Sequence, residues 1–200
     1  MLVAHKKQQE NIAEYILYLF QIEDIVRSLN FDIEQIMESV VKPNLPDSAF
    51  EVQYQSWYAD IIQEMKRSGL EKKGHLDRVM EVIKELLFLH NTLNAIQGES
   101  KYKQLCMNSI SFIAEFREKS SMKKHHDVEI LVHAMHMKLQ FRLRKKEITQ
   151  ETEEAFDAMR IQLAFLVREY HKMKSGDYSS MQNEGNLENY LSFSDLPLLF

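Results

Sequence analysis

Apolar side chains recur at Ile12, Tyr15, Ile16, Leu19, Ile22, Val26 and Leu29, and this three-and-four spacing commits the segment to an amphipathic helix. The same period returns in segment after segment, and no alternating run suggests a strand. Residues that would build turns between strands are scarce. The 200 residues hold five glycines and three prolines, which sheets and long loops use heavily. The expected fold class is therefore all-α, an antiparallel helical bundle of about six to seven helices followed by an apolar C-terminal tail.

Helix boundaries are marked by familiar side chains. A first helix is expected over Lys6–Leu29, stopped by Asn30. Asp32 as N-cap, Gln35 three residues on and Phe31 just before them predict a short helix. The segment KPNLPDS (Lys42–Ser48) is the Pro-rich connection. Ser48 and Glu51 predict a second capping box, opening a helix that carries Trp57, Tyr58, Ile61, Ile62 and Met65. Gly69, free to take the left-handed conformation, closes it. A fourth long segment runs His75–Gln97 to a stop at Gly98. A fifth begins at Ser100 and turns Tyr102, Leu105, Cys106, Phe112, Ile113 and Phe116 inward. The next covers about Ser121–Lys146 at helical period, and Thr149 caps the last, which extends to Ser175–Gly176. Residues 1–176 read as one bundle domain.

Residues 177–200 differ. A Gly-, Ser- and Asn-rich linker to Asn186 precedes LENYLSFSDLPLLF, which crowds eight large apolar residues into fourteen positions. A free segment this apolar is an aggregation liability, so Leu191, Phe193, Leu196, Leu199 and Phe200 are expected to dock. The receptor could be the chain's own bundle, a second copy in a homo-oligomer, or a protein partner's groove.

The single cysteine, Cys106, cannot close an internal disulfide, which points to a reducing cytoplasm. The N-terminus has no apolar core of signal-peptide length, and no run reaches the roughly 18 apolar residues of a membrane span. The net charge of −5 argues against a general affinity for nucleic acid, although residues 117–146 hold nine Lys or Arg against Glu118, Asp127 and Glu129. Arg142, Arg144, Lys145 and Lys146 could therefore bind RNA or another polyanion; a solvated basic face balancing an acidic neighbour is the plainer reading.

The stretch HHDVEILVHAMHMK (His125–Lys138) carries half of the eight histidines. At about 100° per residue, His125, His126, Glu129, His133, His136 and Gln140 fall within about 100° of each other, on one stripe. His125, Glu129, His133 and His136 are thus candidate metal ligands. The chain has no His-Glu-x-x-His and no Glu-x-x-His, so a metal would need ligands from elsewhere; otherwise the stripe is a hydrogen-bonded polar seam between helices. Two further polar groups fall on apolar faces. Glu23, with Arg27 one turn on, lies among Ile12, Ile16, Leu19 and Val26. His90, with Asn94 one turn on, lies at the centre of the fourth segment's apolar face. Each pair reads as a buried register-setting network or as a small ligand pocket with a perturbed acid or base. No phosphate-binding glycine loop, nucleophile elbow or Cys-x-x-Cys occurs. No cofactor is called for, and the sequence leans to a non-enzymatic interaction or scaffold protein, with a metal- or small-ligand-binding bundle and a polyanion binder as alternatives.

The stretches ENIAEYILYLFQIEDIVRSLNFDIEQI, KGHL, LLFLH, FIAEFREKS and MKLQFRLRKKEITQET together resemble a family of small helical bacterial proteins of the Bacteroidetes type, number 4924 among the domains of unknown function. The likeness covers about residues 1–175 and leaves out the apolar tail. It implies an all-helical cytoplasmic protein and supplies no activity. The His125, His126, His133 and His136 cluster is not part of the resemblance.

Overall fold

The computed structural model describes residues 2–96 and 100–176. The Gly98 stop and the docking positions Leu191, Phe193, Leu196, Leu199 and Phe200 lie outside the described residues. Eight α-helices are present among the described residues: α1 (Leu2–Glu10), α2 (Ile12–Ser28), α3 (Ile33–Ile36), α4 (Glu51–Arg67), α5 (Asp77–Ala95), α6 (Ser100–Lys119), α7 (Asp127–Leu143) and α8 (Gln150–Ser175). No described residue lies in a strand.

The expected first helix is two helices. At Asn11 the backbone is extended, with φ −154° and ψ 104°, and the side chain accepts from Ala13 N–H and Glu14 N–H. His171 Nε2, from the far end of α8, accepts the N–H of Ile12 at 3.0 Å. Those two acceptors satisfy three orphan donors of a new helix start, so the break at Asn11 is stable. Amphipathic period alone cannot reveal it, because residues 5–11 carry no apolar side chain whose spacing could register a break.

Asp32 caps α3 as its spacing predicted, accepting from the N–H groups of Glu34 and Gln35. The second capping box does not form. Asp47, not Ser48, accepts the Ala49 N–H at 2.8 Å, and the Glu51 carboxylate turns to Lys42 at 3.4 Å. Gly69 takes φ +66° after α4. The histidine-bearing helix is shorter than its period suggests. Ser121 and Lys145 sit at positive φ, which breaks the chain on either side of α7.

Helix α2 is buried nearly all round, from Ile12 through Val26, so it is sandwiched rather than laid on a surface. It packs against α1, α5, α7 and α8. The middle of α8 is likewise buried continuously from Gln162 to Val167, with α6 and α7 against it as well as α2 and α5. Across α7 and α8, Lys138 meets Asp157 and Phe141 meets Phe156, so the two helices run antiparallel. Across α2 and α7, Phe20 meets His133 while Asp24 meets His136 and Gln140. The numbers rise together, and this pair runs in parallel. That pairing brings the acidic turn of α2 against the histidine stripe of α7. No helix among the described residues is long and apolar enough to cross a membrane.

Candidate functional site

Three places in the fold gather chemistry. The first surrounds Phe20. Glu23 has 0 % of its surface exposed, and such a carboxylate needs partners that offset its lost hydration. The partners come from the loop before α5: the Leu76 N–H donates to Oε1 at 2.9 Å and His75 Nδ1 lies 2.6 Å from Oε2. Arg27, one turn along α2, stands 3.8 Å away and spends its donors on the carbonyls of Leu70 and Gly74. The guanidinium thus clamps the α4–α5 loop, and the loop delivers His75 to the buried carboxylate. The His75 ring stacks on Phe20 with centroids 3.6 Å apart.

The α7 stripe closes over the other side of Phe20. His133 lies 5.2 Å from the His75 ring and 5.3 Å from Phe20. His136 packs edge-on to Phe20, with Nε2 3.3 Å from Asp24 Oδ2. Burial first, and then the neighbouring imidazoles of His75, His136 and His125, push His133 down to about 3. Burial also lowers His136, opposed by Asp24. Of the expected metal set, His133 and His136 come together, His125 is exposed with its ring 6.2 Å from His133, and Glu129 turns away to accept the His126 N–H at 2.9 Å. Among the described residues no three His, Cys, Asp or Glu side chains are grouped to hold a metal. From α2, Asp24 is the carboxylate brought to the stripe, against His136 and Gln140.

The second place is a buried network between α5, α6 and α8. His90 Nδ1 is 2.7 Å from the Tyr102 hydroxyl, and Asn94 Nδ2 reaches His90 Nε2 at 3.3 Å. Gln162 Nε2 donates to Cys106 Sγ at 3.3 Å, while Ser109 donates to the Gln162 carbonyl. Burial lowers His90 and raises the Cys106 thiol. Both ring nitrogens of His90 are engaged, and a raised thiol is a poor nucleophile. The His90–Asn94 pair forms as its spacing suggested; the partners Tyr102 and Cys106 were expected only as inward-facing residues, and nothing in the sequence marked Ser109 or Gln162. Likewise nothing in KKGHL marked His75 as the partner of Glu23.

The third place is open. A concave groove of about 470 Å³ lies between α6, α7 and α8, within the roughly 300–1,000 Å³ of ligand sites. Its walls are Phe112 and Phe116 of α6, Met137 and Phe141 of α7, and Phe156 and Met159 of α8, with Ala155 also lining it. Phe112 and Phe116 are one turn apart and share a face; Ile148, in the α7–α8 loop, lines the groove too. At the rim Lys119 is paired with Glu115. Lys146 stands 4.8 Å over the Phe141 ring. Of the basic segment, Lys138 is taken up by Glu153 and Asp157, whereas Arg142, Arg144, Lys145 and Lys146 are exposed. The sequence showed Phe112 and Phe116 only as inward-facing residues of one helix, because a groove is a property of three helices at once.

Neither the curated proteins nor the solved structures contain a match to the chain. Residues 1–177 match the family model described as Domain of unknown function (DUF4924), and the chain belongs to that family.

Proposed function

We propose that the protein is a non-enzymatic helical interaction protein, acting in the cytoplasm, whose α6–α7–α8 groove receives the apolar face of a short segment from a protein partner. The groove itself carries this reading. It is aromatic- and methionine-lined, open on one side and edged by polar groups, which is the anatomy of helix-in-groove recognition. Methionine suits such a surface because its thioether side chain adapts to different occupants. The two buried clusters favour a structural role. Their acceptors and donors are used internally, and an imidazole held neutral to about pH 3, as His133 is, is poorly placed to shuttle protons near neutrality.

A direct test is fluorescence anisotropy with a labelled amphipathic peptide carrying leucines at helical spacing. Saturable binding is expected, weakened at least about tenfold by Ala155→Arg, which fills the groove without removing a wall. Val52→Arg, on the exposed side of α4, should leave binding unchanged. Equal binding by the native and Ala155→Arg chains would contradict the proposal.

A further inference from the structure

Residues 177–200 follow the left-handed Gly176 that ends α8, and they make up 200 − 176 = 24 positions. Within them Leu187, Tyr190, Leu191, Phe193, Leu196, Leu198, Leu199 and Phe200 are large and apolar. The segment holds Asp177, Glu184, Glu188 and Asp195 and no Lys, Arg or His. The groove offers aromatic and methionine walls to the apolar side chains, with Lys119 and Lys146 alternating with Glu115, Glu147 and Glu151 around its lining; the exposed cations Arg142, Arg144 and Lys145 lie just before Lys146 in the chain. Lys146 lines the groove and, among the described residues, makes its contact with the Phe141 ring rather than with a carboxylate.

We propose that the chain's own segment 187–200 folds back into the α6–α7–α8 groove and competes there with the partner. This inference rests on the groove being a receptor for apolar segments. The distances allow it within one chain. From Met159 to Gly176 is 17 residues of helix, about 26 Å at 1.5 Å each. Phe193 is likewise 17 residues beyond Gly176, which spans about 56 Å when extended and about 23 Å as the average reach of a flexible coil. The return path therefore matches the unstretched length of the linker. Tethering at that span supplies an effective concentration in the millimolar range, so a contact too weak to hold a free peptide still keeps the groove filled. A partner must then displace the tail, and the chain's affinity is set by that competition.

The test uses the full-length chain with Leu191→Ser, Phe193→Ser and Leu196→Ser combined, titrated with the same labelled amphipathic peptide. The substituted chain should bind the peptide at least about tenfold more tightly than the native chain. Amide exchange at residues 191–196 of the native chain should be slowed, and Ala155→Arg should abolish the slowing. Equal peptide affinity with unprotected amides overturns the inference while leaving the groove's receptor role standing. Absence of binding by both native and substituted chains defeats the receptor role and the inference together. A tail effect that disappears on dilution assigns the occupant to a second copy and overturns docking within one chain.

Discussion

Replacing Glu23 by Ala should be among the most damaging single changes available to this fold. The carboxylate has 0 % exposure and accepts from the buried Leu76 N–H at 2.9 Å and from His75 at 2.6 Å. Alanine leaves the Leu76 N–H without a partner, at about 1–3 kcal/mol, and strands the imidazole and the nearby Arg27. Breaking a buried ionic pair by removing one partner costs about 3–5 kcal/mol altogether. For a chain of this length each kcal/mol moves Tm by about 2–4 °C, so a fall of roughly 6–20 °C is expected. Glu23→Gln keeps an oxygen for Leu76 N–H and should cost less, about 1–2 kcal/mol. Urea unfolding of Glu23→Ala, His75→Ala and the double variant closes a cycle, and the two sites should couple by about 1–3 kcal/mol. If Glu23→Ala lies within about 1 kcal/mol of the native chain, the claim that the loop before α5 is held by this carboxylate is wrong.

Other consequences are smaller but as specific. Among the described residues the buried hydroxyls of Tyr18 and Tyr58 have no hydrogen-bond partner, so Tyr18→Phe and Tyr58→Phe should be neutral or stabilising by up to about 1 kcal/mol in the same unfolding assay; a loss above that size refutes it. His133 is pushed from the usual 6.5 down to about 3, and burial depresses His90, His136 and His171 in the same direction. A depressed imidazole means that the unfolded chain binds the extra proton, so stability is full above about pH 6.5 and declines as pH falls from there toward 3, by up to about 1.4 kcal/mol per pH unit for each such group. Denaturant curves at pH 7.5, 6 and 5 should show the decline and His133→Gln should flatten it; no change with pH contradicts the burial. The Cys106 thiol, raised by burial and bonded by Gln162, should react with a disulfide reagent at least about tenfold more slowly in the native chain than in urea; equal rates would place it at the surface.

The all-helical class was readable because apolar period and sparse Gly and Pro are local properties, and so were Asp32, Gly69, Thr149 and Gly176 as helix ends. The break at Asn11 escaped because the start of α2 is completed by His171, which lies 159 positions from Ile12. The capping box at Ser48 failed for a similar reason: Asp47 takes the cap position instead, accepting the Ala49 N–H, and Lys42 draws Glu51 off. Glu23 could be recognised as buried from the angular position of its side chain, but its partner His75 could not: the expected fourth segment began at His75, whereas α5 begins at Asp77 and leaves His75 in the loop. The histidine stripe was visible in its angles. Its meaning depended on α2 running parallel to α7, which places Asp24 beside His136. The groove was the least legible feature, because Phe112, Phe141 and Phe156 each look like core residues until three helices leave a gap between them.

The central claim, that the α6–α7–α8 groove is where apolar segments bind, is tested most directly with ¹³C-methyl-labelled methionine in the full-length chain. Met137 and Met159 line the groove, whereas Met65 is fully buried on α4. On titration with the amphipathic peptide, the Met137 and Met159 methyl signals should move together and saturate at the affinity seen by anisotropy, with Met65 unmoved. Saturable binding that leaves Met137 and Met159 where they were would place the site elsewhere and contradict the account.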